Sequence, residues 1–502
     1  MMYIGQLLIP ADWTVLALLA LVSILTVVYV TSASSSRKLP PGPKPWPIVG
    51  NLPYIRRQNK PMFEVMLTLR QQYGDVVRLK LGPSLNFIFI MGKDNVYKAA
   101  VDMKDKFKFR PNNFFATNYI FQNKGILSAN GAEHTALRKL ILVTMRDFGV
   151  GRKSLEECIQ EEARLLCDLI ESKKGQPTYY LDNFKMGVSN IVAGIVYGNR
   201  FEYGDPTFLR ILGNIGTFFK TLSIFLPENY FPLLRFLPGS KLMALFNVYK
   251  DLEAYAKSRI DEHRPTFDPD NLRDFVDIYL KAEQEGDKTL TAEHMYRVIV
   301  DLFNAGTDTT ATAMTWAVLF LMNNPKIQQR CREEILKEVG EDRQVQLSDK
   351  EKLPYLQAFI NEVLRLGSVT PHSAPYSNME DVEFEGYIIP KNSLVFYGLI
   401  TLLTDKSTWH DPEVFRPERF LDDKGQLRNE KEQKEHFTPF SLGARACLGK
   451  HLARMEVFIF IGTLIQRFRF STPPGCTAPS EDRVQTGVTC QPHPFEVCAT
   501  PV

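Results

Sequence analysis

The segment from Phe440 to Gly449 constrains this chain most, because it places a cysteine where a glycine-containing loop becomes a helix. Leu448, Leu452 and Met455 recur behind Cys447 at the spacing of an apolar helical face. A thiol at the start of a helix lies near the positive end of the helix dipole and near unpaired backbone N–H groups. Both favour the thiolate, the form of cysteine that binds metal. The alternative is an inert buried thiol, the commoner state of a lone cysteine.

Composition excludes several classes of function. The chain has 502 residues, a net charge of +3 and no long basic run, so nucleic acid is not an expected partner. Its seven cysteines are odd in number and widely spaced, which favours a reducing compartment over a disulfide framework. Length alone suggests about three domains. The motifs nevertheless run from the first third of the chain to its end, so we expect one large domain around one site.

The N-terminus is predicted to be a membrane anchor. Residues 13–30 are almost all apolar and are numerous enough for a helix to cross the hydrocarbon core. Arg37 and Lys38 follow this run, which favours a cytosolic position for the rest of the chain. Five prolines between Leu39 and Leu52 then predict a stiff linker. A cleaved signal peptide and a core helix are the alternatives. We expect an anchor over 1–33, a linker over 34–52 and the main domain over 53–502.

A long helix is predicted from His294 to Asn323, and its middle is unusual. The run Ala305–Thr310 places a glycine, three threonines and an aspartate in an otherwise apolar helix. Glycine costs about 1 kcal/mol relative to alanine in a helix interior, and threonine hydroxyls compete for backbone hydrogen bonds. An acid at position 308 is costly among apolar neighbours unless it has a partner. Such a local conflict often marks a functional site; a helix kink with an incidental acid is the alternative.

A third pattern pairs Glu362 with Arg365 on a predicted helix. Residues three apart lie on the same side of a helix, but an exposed pair contributes under about 1 kcal/mol. The segment Phe415–Phe420 supplies a further arginine, Arg419. The Glu-x-x-Arg spacing is a weak pattern by itself and gains weight only from this second segment.

These segments together resemble the cytochrome P-450 family, and in particular its microsomal family-two branch. Phe440, Gly443, Arg445, Cys447 and Gly449 match all five fixed positions of the family's haem-ligand loop. The resemblance implies a mainly α fold with a small β part, preceded by a single N-terminal transmembrane helix. It also implies that residues 53–502 form a haem-thiolate catalytic domain, with haem b as cofactor and Cys447 as the axial ligand of its iron.

The activity that the resemblance implies is that of a monooxygenase. Such an enzyme inserts one oxygen atom of O2 into a lipophilic small molecule, here a fatty acid, steroid or xenobiotic. Electrons would come from NADPH through a separate NADPH-cytochrome P-450 reductase, with cytochrome b5 as a second donor. The protein would lie in the endoplasmic reticulum membrane, in contact with lipid, with its catalytic domain in the cytosol. Two alternatives are a haem-thiolate isomerase or dehydratase that needs no reductase, and a non-catalytic haem sensor of carbon monoxide or nitric oxide.

The resemblance also assigns roles on the long helix. Ala305 and Gly306 would lie flat over the haem. Thr309 would place its hydroxyl beside bound dioxygen, and Asp308 would relay protons from bulk water. An isomerase has no need of this acid and this hydroxyl, so their presence favours the monooxygenase. The supporting ionic network of the cysteine loop would comprise Glu362, Arg365 and Arg419.

By the same resemblance, the haem propionates would be bound by Arg110, Arg138 and Arg445. A guanidinium group suits a carboxylate because it can donate two parallel hydrogen bonds; an ordinary surface arginine is the alternative for each. The chain departs from the family pattern twice here. His134 stands where tryptophan is usual, and Tyr376 stands where histidine is usual. Both can still donate a hydrogen bond, so we expect both at the propionates.

Aromatic residues and prolines crowd together between positions 201 and 255. Core packing explains such a composition. The resemblance implies instead a mobile lid over the substrate and a second contact with the membrane. Both interpretations stay open at this level.

Overall fold

The computed structural model describes residues 38–112, 114, 116–148, 153–223, 225–287, 291–429 and 436–502, with a few positions between 13 and 23. Within these residues helices dominate and strands are short, which confirms the mainly α class with a small β part. The predicted anchor lies almost entirely outside the described residues. Among those that are described, no helix is both long enough and apolar enough to span a bilayer.

The helices of the first half are α1 (Leu52–Gln58), α2 (Met62–Tyr73), α3 (Lys93–Tyr97), α4 (Lys104–Phe107), α5 (Gly125–Ser128), α6 (Gly131–Phe148), α7 (Lys153–Glu171), α8 (Leu181–Tyr197), α9 (Pro206–Thr221) and α10 (Lys241–His263). Those of the second half are α11 (Phe275–Gln284), α12 (Ala292–Asn323), α13 (Pro325–Glu338), α14 (Pro354–Gly367), α15 (Ile400–Leu403) and α16 (Lys450–Arg467). The strands are β1 (Val76–Leu81), β2 (Leu85–Ile90), β3 (Tyr376–Ser377), β4 (Val382–Phe384), β5 (Tyr387–Ile389), β6 (Leu394–Tyr397), β7 (Phe468–Ser471), β8 (Arg483–Thr486), β9 (Thr489–Pro492) and β10 (Cys498–Pro501).

The largest sheet among the described residues has the order β1-β2-β6-β3. β1 and β2 pair as an antiparallel hairpin, with Val76 opposite Ile90, around the turn that the Gly82-Pro83 dipeptide predicts. β6 joins β2 in parallel and β3 pairs antiparallel with β6. The edge strand β3 carries Tyr376, whose ring centre lies 4.8 Å from the guanidinium of Arg110.

Helix α12 runs through the protein interior. Its residues from Thr310 to Met322 are all buried, as expected of a helix that is apolar on every side. It ends at Asn323, one residue before the Asn324–Pro325 junction, because proline cannot continue the hydrogen-bond ladder. Thr291 occupies the N-cap position, but its side chain makes no capping hydrogen bond. The helix packs against α8, α10, α14 and α16 and so links both halves of the chain.

The aromatic-rich segment between 201 and 255 divides into a buried part and an exposed part. Phe218 and Phe219 of α9 are buried in the core. Leu233 and Phe236, which lie in the short turns between α9 and α10, are 80% and 84% exposed. Core packing therefore explains the helices, whereas it does not explain the turns.

Candidate functional site

Cys447 lies in a loop that closes on itself just before α16. Its backbone N–H donates to the carbonyl oxygen of Phe440 at 3.0 Å, and the Phe440 ring lies under the guanidinium of Arg454. The thiol has accessible surface although protein atoms surround it. Burial raises its pKa above the ordinary value, and the N–H groups of Gly449 and Lys450 only partly offset this. The helix terminus favours the thiolate, as the sequence predicts, but burial outweighs this effect; a metal ion bound to the sulfur would favour the thiolate.

The two glycines of the loop serve different purposes. Gly443 has a φ of +80°, and a Cβ there would collide with the carbonyl oxygen of Ala100. Its role is to let the loop approach another part of the chain closely. Gly449, the residue before α16, has no atom near the position of a Cβ. Only Gly449 therefore borders open space on this side of the site.

On α12, three of the positions that the sequence singled out are accessible, whereas Asp308 is not. Ala305 is exposed and Gly306 and Thr309 are half-buried, although their neighbours Thr307 and Asp308 are buried. An interior helix that exposes one narrow face borders a cavity. The Thr309 hydroxyl donates to the carbonyl oxygen of Ala305 at 2.7 Å. Its oxygen therefore stays available as an acceptor from water or ligand.

Gly306 has a packing reason that the sequence did not reveal. A Cβ at this position would lie 2.8 Å from Cγ2 of Val192 on α8. The glycine allows α8 and α12 to approach closely at the distal motif. Next to it, the Thr307 hydroxyl is 2.8 Å from the hydroxyl of Ser189, also on α8.

Asp308 is placed differently from a carboxylate that exchanges with bulk water. The residue is 1% exposed, and its Oδ1 lies 3.0 Å from Nζ of Lys185 on α8. Its Oδ2 accepts a hydrogen bond from the hydroxyl of Thr489 on β9 at 3.0 Å. Sequence reasoning missed Lys185. The available signal was a lysine between the apolar residues of a buried helix, in the run Phe184-Lys185-Met186.

Three arginines meet on the other side of the cysteine loop. Arg445 donates to the carbonyl oxygens of Lys108 and Ala129 at 3.0 and 2.7 Å, and its Nη1 is buried with no hydrogen-bond partner in the described part of the chain. Arg138 donates through Nη1 to the carbonyl oxygen of Ala446, the residue before the cysteine, at 3.1 Å.

Arg110 is the most buried of these arginines. It donates to the carbonyl oxygens of Leu127 and Pro375 at 2.9 and 2.7 Å. Its guanidinium lies 4.8 Å from the ring centre of Tyr376, which in turn stacks on Tyr397 at 4.6 Å. Most of its donors are therefore used within the chain, so it contributes mainly positive charge.

The charge of this cluster is unbalanced. Among the described residues, none of the three arginines forms an ion pair with a carboxylate. Burial, followed by repulsion from Arg110 and Arg138, lowers the pKa of Arg445 to about 9. Burial and the same three cations lower the pKa of His134 to about 3, so this histidine is neutral. A dianionic group would relieve this repulsion and supply the missing acceptor for Arg445, so the residues fit the propionates of a haem.

The network predicted around Glu362 is brought together on α14. Arg365 donates to both Glu362 oxygens, at 2.7 and 2.8 Å, and both residues have no exposed surface. Arg419 and the backbone N–H of Arg416 each donate to Oε1 at 2.9 Å. Arg365 also donates to the carbonyl oxygen of Leu403 at 2.8 Å. The network joins α14 to the segment that precedes the cysteine loop.

Comparison with known proteins agrees with this geometry. The sequence model of the cytochrome P-450 family matches residues 40–499. The chain is 37% identical to cytochrome P-450 2B4 of Oryctolagus cuniculus over 482 residues, covering 94% of this chain and 95% of that protein. It is 35% identical to cytochrome P-450 2A6 of Homo sapiens, covering 91% and 92%, and 36% identical to cytochrome P-450 2D4 of Rattus norvegicus, covering 92% and 93%. The chain therefore belongs to the cytochrome P-450 family and is a monooxygenase with haem b as its cofactor.

Proposed function

We propose that Cys447 is the axial ligand of the haem iron and that the enzyme oxygenates a lipophilic small molecule with electrons from NADPH. The observation that carries this proposal is the position of Arg138. This side chain contacts the residue before the cysteine and also belongs to the arginine cluster without a counter-ion. The metal ligand and the propionate site would thus lie next to each other, as the binding of one haem requires. Arg110, Arg445, His134 and Tyr376 complete the proposed propionate site.

Each side of the proposed site has its own task. When bound, the haem supplies electron transfer and the activation of dioxygen. On the cysteine side, the N–H groups of Gly449 and Lys450 and the charge of Arg138 stabilise a sulfur anion. On the other side, Ala305 leaves space, and the Thr309 oxygen can accept a hydrogen bond from a water that carries protons inward. Asp308 contributes a fixed negative charge one residue away.

The proposed substrate class follows from the side chains near α12. Phe114 and Phe303, the latter on α12, are buried and belong to the same hydrophobic cluster. Large apolar side chains beside a binding site favour a lipophilic substrate, because the surface of that substrate leaves water when it binds. These apolar side chains suit a steroid, a fatty acid or a xenobiotic equally.

We further propose that the protein lies on the endoplasmic reticulum membrane through two regions. The described positions Trp13, Leu16 and Leu18 are helical and 66%, 58% and 60% exposed, which suits a lipid environment. Leu233 and Phe236 form a second exposed apolar surface. NADPH-cytochrome P-450 reductase and cytochrome b5 would dock on the cysteine side, where Lys450 and Arg454 supply positive charge.

The decisive test of the ligand is Cys447→Ser. We expect the variant to lose the red-shifted Soret band of the reduced carbon monoxide complex, because that band reports thiolate coordination. A variant that kept the band would show that the ligand is another residue. Turnover of wild-type protein with NADPH and purified reductase then separates the alternatives, since an isomerase would work without reductase and a sensor would give no product.

The membrane proposal is tested by removing residues 1–33. We expect the truncated protein to keep its haem spectrum and to stay partly bound to vesicles through Leu233 and Phe236. Replacing both residues with serine in the truncated protein should then release it. Loss of the haem spectrum on truncation would contradict the proposed division into anchor, linker and catalytic domain.

A further inference from the structure

The most unusual polar contact outside the haem site is the ion pair between Lys185 and Asp308. Their side chains are 7% and 1% exposed, and the Nζ–Oδ1 distance is 3.0 Å. With Thr489 bonded to Oδ2, both carboxylate oxygens have partners. Neighbouring residues of a helix point about 100° apart, so Asp308 faces α8 and β9 while Thr309 borders the cavity. The acid is therefore held beside the site rather than inside it.

Lys185 conflicts with its own surroundings. It lies on a helix whose adjacent core residues Phe184 and Val188 are 1% and 0% exposed. An isolated ammonium group is very costly to bury, and well-packed apolar residues often replace a buried ion pair without loss of stability. In the part of the chain that the structure describes, Asp308 is the one carboxylate with which Lys185 pairs. A lysine retained at such a position points to a task for its charge.

We propose that Lys185 is a positioning residue for proton delivery, which keeps the Asp308 carboxylate ionised and turned toward α8. This inference rests on the proposed role of Thr309 and Asp308 beside the haem. Lys185 acts only through Asp308. The result is a fixed anion next to Thr309, which orients water with its hydrogens toward the acid. The sequence suggested a mobile carrier of protons; the geometry points to a stationary charge.

The charge of Asp308 is tested first, in the haem-loaded enzyme, by Lys185→Met. Without its cation the buried carboxylate should take up a proton, because burial disfavours an uncompensated charge. Infrared difference spectra between Lys185→Met and the double variant Lys185→Met with Asp308→Asn should show the carbonyl stretch of one protonated carboxyl. Lys185→Arg keeps the charge and should not show the band. Absence of the band in Lys185→Met would overturn the proposal.

The consequence for turnover is tested with the same variants. We expect Lys185→Met to raise the ratio of hydrogen peroxide to product by roughly tenfold, through impaired proton delivery. Lys185→Arg should restore the wild-type ratio, and the double variant should match Asp308→Asn alone, because the lysine has no other path of action. A normal ratio in Lys185→Met beside a raised ratio in Asp308→Asn would contradict the proposal.

Two further controls separate this inference from the proposed function. If Asp308→Asn leaves the ratio unchanged, the proposed role of the acid fails, while the infrared band still decides whether Lys185 sets its charge. If Lys185→Met does not retain haem, Lys185→Gln is measured instead, because it keeps a hydrogen-bond donor and loses the charge. A band with Lys185→Gln supports control by charge; its absence contradicts it.

Discussion

Two groups of buried charge flank the cysteine loop and are built in opposite ways. Around Glu362, one carboxylate accepts hydrogen bonds from two guanidinium groups and a backbone N–H, and Arg365 also donates to a backbone carbonyl. Around Arg445, three arginines gather without a carboxylate among the described residues, and burial followed by repulsion from Arg110 and Arg138 lowers the pKa of Arg445 to about 9. A closed set of charges supports the fold. Three cations together are balanced only when an anionic ligand binds. The balance of charge therefore distinguishes a group that stabilises the fold from a group that binds a ligand.

The largest effect should follow from Glu362→Gln, which removes the carboxylate from this balanced network. Arg365 would then keep its charge with no exposed surface and no anion, which costs about 3–5 kcal/mol. We expect a corresponding fall in the free energy of unfolding, measured in urea by circular dichroism, and a low yield of haem-loaded protein. The matched control is Glu161→Gln, which removes the exposed partner of Arg164 and should cost under about 1 kcal/mol. Equal losses in the two variants would contradict the comparison.

A buried carboxyl that forms no ion pair with another described residue lies between these extremes and gives a pH dependence. Asp301 on α12 accepts a hydrogen bond from the N–H of Leu127 at 3.0 Å, but burial raises its pKa from 3.8 to about 7. Between these values the folded protein binds more protons than the unfolded chain, so stability falls as the pH rises through this range. The decline attributable to Asp301 is at most about 4 kcal/mol.

Asp301→Asn should remove that decline, because asparagine stays neutral and can still accept from Leu127. The measurement is the free energy of unfolding at pH 5 and pH 7.5 in both proteins. The exposed Asp168→Asn serves as the control and should leave the slope unchanged. A variant with the wild-type slope would show that Asp301 is not the titrating group.

The smallest effect is expected in the arginine cluster. Arg138→Gln should weaken haem retention more than it lowers the free energy of unfolding. Arg138 makes a single hydrogen bond within the described chain, to Ala446. A charged hydrogen bond to a propionate contributes about 1.5–3 kcal/mol, so the rate of haem loss to an acceptor protein should rise roughly tenfold or more. Arg138→Lys keeps the charge, so its rate of haem loss should lie between those of the wild-type protein and Arg138→Gln. An unchanged rate would remove Arg138 from the proposed propionate site.

Features that depend on neighbours in the sequence were predictable. The extent of the helix through Ala305–Thr310, the β1–β2 hairpin and the pairing of Glu362 with Arg365 follow from periodicity and from residues close along the chain. The family itself is recognisable from five positions in one loop. These signals are local, so a single sequence carries them.

Features that depend on distant contacts were not predictable. The partner of Asp308 lies on α8, and the reason for Gly443 is the carbonyl of Ala100; no spacing rule relates these positions. The sequence shows the helix terminus that favours the Cys447 thiolate, whereas it does not show the burial that raises the pKa of this thiol. Sequence reasoning therefore identified the reactive groups better than their surroundings.

The arginine cluster has a consequence for how the protein matures. Arg110 and Arg138 come from the first third of the chain and Arg445 from its last part, so they meet only after most of the polypeptide has been synthesised and folded. Their mutual repulsion opposes this meeting, and a bound anion would relieve it. Haem binding would thus complete the assembly of this site, and the cellular level of mature enzyme should follow the supply of haem.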